Sequence, residues 1–141
     1  MLKILVPVDG SANALRAVAH LISLAQNNAA LHCELLYVAE PFGLREHAWR
    51  SHAELAAMSE EQAQHALTPA RQALQAAGVP CSVHIAHGEV AQQIVAHAAN
   101  VGCDGIAMGM RGVGLVLGPV SLGSVSAHVV HASDLPVTLV K

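Results

Sequence analysis

Five near-continuous apolar runs recur along the chain, at 2–8 (LKILVPV), 32–38 (HCELLYV), 81–86 (CSVHIA), 104–109 (DGIAMG) and 135–140 (LPVTLV). Runs of this kind suit strands covered on both faces, because a half-exposed strand would alternate apolar with polar residues. The segments between them carry helical spacing. Leu15, Val18, Ile22 and Ala25 repeat at that period and stop at Asn27-Asn28, while Val90, Ile94, Ala98 and Val101 stop before Gly102. A longer pattern, roughly Ser51 to Ala77, places Ala63, Ala66, Leu67, Ala70, Leu74 and Ala77 on one face and ends at Gly78. Thr68-Pro69 predicts a kink or a split within it, since proline removes a donor and crowds the preceding turn.

Strand and helix therefore alternate, which implies an α/β fold of parallel strands joined by right-handed helical crossovers, with helices on both faces of the sheet. Ligands of such sheets sit beyond the carboxyl ends of the strands, where the winding direction reverses. Those ends carry Asp9-Gly10-Ser11, Ala39-Glu40-Pro41, His87-Gly88-Glu89 and a glycine-rich loop from Gly109. Segment 39–50 reads as a surface loop.

A chain of 141 residues is the size of one domain, 1–141, with no second domain expected. Its aromatic content of 2% asks for a core of small aliphatics. A net charge of −3 with seven Lys and Arg leaves no basic stripe for a nucleic acid backbone, and one Trp, one Tyr and one Phe leave few stacking platforms. The opening apolar run is too short for a signal peptide, and glycines with Pro119 make the uncharged stretch from Gly112 a poor membrane helix. A cytoplasmic protein without membrane partners is expected. Cys33, Cys81 and Cys103 are odd in number and lie in or beside apolar runs, as reduced, buried thiols do.

The glycine-rich loop follows a strand and precedes a short helix with Val125 and Val129 on one face. Glycines let a backbone approach phosphate oxygens, and a helix start offers free N–H groups and partial positive charge. Ser124 can cap that helix and donate a hydroxyl. The spacing is neither a P-loop nor the dinucleotide fingerprint, so the loop alone fits a simple turn as well as a phosphate cradle. Asp9 likewise fits either a helix cap or an acceptor for ribose hydroxyls or a base amine. With the first and fourth strands as neighbours, Asp9 and the loop would face one crevice.

Taken together, KILVPVDGS, ELLYV, HGEVAQQIVAHA, CDGIAMGMRG and LGSVSAHVVHASDLPVTLV resemble the universal stress protein family over essentially the whole chain. The resemblance implies a five-stranded parallel sheet of order 3-2-1-4-5, a regulatory stress-response role, binding of ATP or a related adenine nucleotide such as AMP or ADP, with Mg on the phosphates, and homodimers paired through the last strand. The family's glycine signature maps onto Gly109, Gly112, Gly123 and Ser124, with ten residues instead of nine between the second and third glycines. By that correspondence Asp9, flanked by Pro7 and Val8, would meet the ribose or adenine, and Val38 the base. Met108 and Gly109 would lie along the ribose. Gly112, Gly123, Ser124 and Val125 would face the phosphates, with Ser126 as a further donor and Arg111 as the loop's one cation.

Other chemistry is thinly represented. His128 and His131 have helical spacing without a third zinc-like ligand, HIAH at 84–87 closes a strand, and there is no nucleophile elbow or paired carboxylate at a strand end. A binding module with at most slow ATP hydrolysis is expected. The rival is a dimeric interaction protein of the same fold, its apolar Leu115-Val116-Leu117 run serving a protein partner in place of phosphate. The last apolar run, at an open sheet edge, can pair with its own symmetry mate.

Overall fold

The computed structural model describes residues 1–110 and 123–141. In chain order the elements are β1 (Leu2–Pro7), α1 (Ala12–Gln26), β2 (Leu31–Ala39), α2 (Leu44–Trp49), α3 (His52–Ala76), β3 (Cys81–His87), α4 (Val90–Asn100), β4 (Gly105–Gly109), α5 (Ser124–Ala132) and β5 (Val137–Val140). The strands form one parallel sheet in the order β3-β2-β1-β4-β5, as expected.

Strand parity divides the core into two layers. Cys33 and Leu35 of β2 join Val6 of β1 under α1 and α3, which contribute Val18, Leu21, Leu67 and Leu74. Leu36 of β2 and Leu5 of β1 face the other way, under Ile94 and Ala98 of α4 and Val129 of α5. Small aliphatics fill both layers, and every strand except the edges is covered twice.

Three of the helix starts, those of α1, α3 and α4, are capped by polar side chains. Ser11 accepts from Ala14 N and Ser51 from Glu54 N, while Glu89 accepts from both Ala91 N and Gln92 N. Gly78 and Gly102, at φ 71° and 69°, turn the chain after α3 and α4.

Three expectations need correction. Of the kink or split expected at Thr68-Pro69, the split does not occur: α3 runs unbroken through Pro69. Pro69 and His65 are both exposed, so the His65 carbonyl that loses its N–H partner faces water. Segment 39–50 is not wholly loop, because Leu44–Trp49 forms α2 with Gly43 as its N-cap. The last strand starts at Val137 instead of Leu135: Ser133 Oγ accepts from Leu135 N, holding that residue in a turn, and Pro136 has no N–H to give.

Candidate functional site

Because β1 and β4 are neighbours while β2 and β5 lie outward of them, the chain's winding reverses between β1 and β4. A cavity of about 500 Å³ opens beyond their carboxyl ends. Pro7, Val8 and Asp9 come from the end of β1, Val38 from β2, Met108 and Gly109 from β4, and Gly123, Ser124, Val125 and Ser126 from the start of α5. Ten of the twelve residues singled out in the sequence thus line one cavity. Arg111, Gly112 and the Leu115–Leu117 run lie outside the described residues.

The floor is apolar. Leu36 and Val38 rise from β2, Ile94 and Val90 descend from α4, and Met108 closes the β4 side. Such a slot suits a flat heteroaromatic ring.

One rim is acidic. Asp9 is exposed, and its Oδ1 accepts from Ser11 N at 2.9 Å, an Asx turn that fixes the carboxylate. Among the described residues Oδ2 takes no hydrogen bond, which leaves it free to accept one. Asp9 is therefore not the cap of α1, a role that belongs to Ser11. Glu40 stands beside it from the end of β2. The phenol of Tyr37 is pushed above its usual range, first by burial and then by Glu40 and Asp9, which shows both carboxylates acting on one spot.

The opposite rim is a helix start. Gly123, not Ser124, is the N-cap of α5, and no side chain among the described residues caps it. Ser124 is the first helical residue; among the described residues no side chain meets the first-turn N–H groups, and no acidic residue sits in that turn. Ser126, in the same first turn, is buried against the cavity.

Gly109 is glycine for a reason the sequence did not reveal. A β-carbon there would overlap the backbone carbonyl of Asn13 in the first turn of α1. Arg16 strengthens this junction by donating from Nη2 to the Met110 carbonyl at 2.9 Å and to Asn13 Oδ1. Asn13, Tyr37 and Gln62 also line the cavity and escaped sequence reasoning, as do Ser11 and Glu40, which were placed at strand ends but given no role. Gln62 comes from mid-helix, where no such signal exists.

With that geometry in place, the comparisons with known proteins are decisive. The model of the universal stress protein family matches residues 1–141. The chain belongs to the universal stress protein family. Universal stress protein MJ0531 of Methanocaldococcus jannaschii is 32% identical over 142 residues, covering 99% of this chain and 81% of that protein. The solved structure of hypothetical protein MJ0577 superposes with a TM-score of 0.80 at 29% identity, covering 99% of this chain and 94% of that one. A universal stress protein solved in complex with cAMP superposes with a TM-score of 0.68 at 26% identity, covering 99% and 97%. A relative within the universal stress protein family thus holds an adenine nucleotide. Among the described residues of this member, no helix is long and apolar enough to cross a membrane, and no three His, Cys, Asp or Glu side chains are grouped to hold a metal ion.

Proposed function

We propose that this protein is a regulatory module that binds ATP or a related adenine nucleotide. The observation that carries the reading is the make-up of the cavity walls: hydrogen-bond acceptors, Asp9 and Glu40, an apolar slot, and a helix start that no side chain among the described residues caps. A nucleotide offers a partner for each: ribose hydroxyls, a flat base and an anionic tail, with the ribose joining the other two. Asp9 would take the ribose hydroxyls, Leu36, Val38 and Ile94 the base, and Gly123 to Ser126 the phosphates. Any Mg²⁺ would be held chiefly by the phosphates themselves. The cAMP-bound relative supports the class of ligand.

Micromolar binding corresponds to about 8 kcal/mol. Charge-assisted hydrogen bonds contribute about 1.5–3 kcal/mol each, so three or four of them with a buried base reach that range after ordering costs. Calorimetric titration with ATP, adenosine and inorganic tripolyphosphate tests the reading. Binding of ATP tighter than of either fragment is expected. No heat from any of the three would favour the interaction-protein alternative, and the mass of any ligand released from purified protein would tell ATP from AMP and cAMP.

The same reading includes a homodimer through β5. Val137–Val140 occupies one edge of the sheet, where pairing with a second copy would cover its free edge donors. Light scattering that gave the mass of one chain across the micromolar range would overturn this.

A further inference from the structure

Between the sheet and α4, nearer the amino ends of the strands than the cavity, lies a polar row within an otherwise apolar layer. Glu34 of β2 has a side chain only 6% exposed. Nε2 of His84, on β3, lies 2.5 Å from Glu34 Oε2, and Nε2 of His32 lies 3.4 Å from Oε1 and 2.9 Å from Ser82 Oγ. The ring of His97, on α4, packs on that of His84 with centroids 4.6 Å apart. Nε2 of His97 is buried and has no hydrogen-bond partner among the described residues.

A carboxylate this buried is tolerated only with a partner beside it; His84 supplies the hydrogen bond and His32 stands within ion-pair distance. His97 is in the opposite position. Its neighbour His84 is turned toward Glu34, so a proton added to His97 creates a positive charge against another imidazole and an N–H with no acceptor. Both costs are relieved when this part of α4 moves toward water.

The other charged and titratable groups facing this layer do not supply the missing acceptor. From β1, Lys3 donates through Nζ to the Val101 carbonyl after α4. From the turn into β4, Asp104 accepts from Lys3 N, and burial pushes the Cys103 thiol up to about 11. From α5, His128 lies 3.9 Å from Glu89 at the far end of α4.

The row is mechanically joined to the cavity by two elements. Glu34, Leu36 and Val38 project from the same face of β2, and the latter two line the cavity. Ile94, fully buried and also lining the cavity, is one turn before His97 on α4.

We propose that Glu34, His84 and His97 form a proton-sensitive latch between the sheet and α4, and that its release on acidification lowers the cavity's affinity for nucleotide. The affinity part rests on the nucleotide reading above; the latch itself does not. The sign follows from burial and from His84, which hold His97 below its usual range against the weaker pull of Glu34. The folded protein therefore favours neutral His97. The stability this gives is present in full above the ordinary imidazole value and drains away as pH falls through the lowered one.

The experiment compares wild type with His97→Gln at pH 7.5 and 5.5, by calorimetric titration with ATP and by amide hydrogen exchange along α4. The nucleotide's own protonation cancels in the comparison. The wild type should lose about fivefold more affinity than the variant on acidification, an ordinary coupling for linked sites. Its α4 amides should also lose more protection. Parallel behaviour of the two proteins would overturn the proposal. Should His97→Gln fail to fold, His84→Gln keeps a donor for Glu34 and should also flatten the pH dependence. In wild type, an NMR titration of the His97 ring should give a midpoint below about 6.5, and a midpoint above it would overturn the latch. Zinc chloride that raised the melting temperature of wild type but not of His84→Gln would assign the row to a metal and overturn it too. A pH-dependent α4 without ATP binding at either pH would refute the nucleotide reading and leave the latch standing.

Discussion

Gly109 at the end of β4 and Asn13 in the first turn of α1 approach so closely that a β-carbon on the former would overlap the backbone carbonyl of the latter. The atom that must yield belongs to a capped helix turn, which cannot shift as a flexible side chain would. Gly109→Ala should therefore destabilise the fold by about 3 kcal/mol, the upper part of the range for overpacking. A urea unfolding midpoint within error of wild type would refute the close approach.

Asp9→Asn isolates charge from geometry. The amide oxygen still accepts from Ser11 N, so the turn at Gly10 is kept and the melting temperature should stay within a few degrees. Affinity for ATP should fall about tenfold, as expected when a charged acceptor becomes a neutral one. Calorimetry gives the first result and thermal melting the second.

Pro69 leaves a carbonyl unpaired on the wet face of α3. Pro69→Ala restores that hydrogen bond, partly offset by a floppier unfolded chain, and should stabilise the protein by about 1–2 kcal/mol. A lower urea midpoint would show that Pro69 holds a contact its exposure hides.

The thiols should divide by burial. Burial lifts Cys33 to about 12, aided by Cys81 and Glu34, and Cys103 to about 11, while Cys81 is raised less and is partly exposed. With Ellman's reagent at pH 8, Cys81 should react first and the other two only as the chain unfolds. Because the folded thiols hold their protons more tightly than unfolded ones, their contribution to stability is complete below the ordinary thiol range. It is lost as pH climbs from about 9 toward those raised values. Rapid modification of Cys33 in the native state would contradict its burial.

The sheet was legible in the sequence because both faces of the three inner strands are covered, so these read as near-continuous apolar runs. Residues at the strand ends were legible for a related reason: loops there have few tasks besides turning and binding, so Asp9 and Gly123-Ser124 stood out. Pro69 misled because propensity knows nothing of which side of a helix is wet. Gly123 displaced Ser124 as the cap because the choice rests on where the chain enters the helix, which composition does not encode. Gln62 and Asn13 reach the cavity from helices whose neighbours are set by packing across the sheet. The Glu34, His84 and His97 row was the least visible. Its members lie 50 and 13 positions apart, and only strand register and the docking of α4 bring them together.

Glu34 also bears on how the chain finds its pairing during folding. Five strands of similar aliphatic character offer many shifted alignments, and Val-, Leu- and Ile-rich segments do little to tell one from another. Sliding β2 by one position would thrust a carboxylate under α1 and α3, away from His84, and leave imidazoles opposite Cys33 and Leu35. The single acid in the middle of the sheet thereby works as an alignment pin, tolerated in one arrangement and rejected by its neighbours in the next.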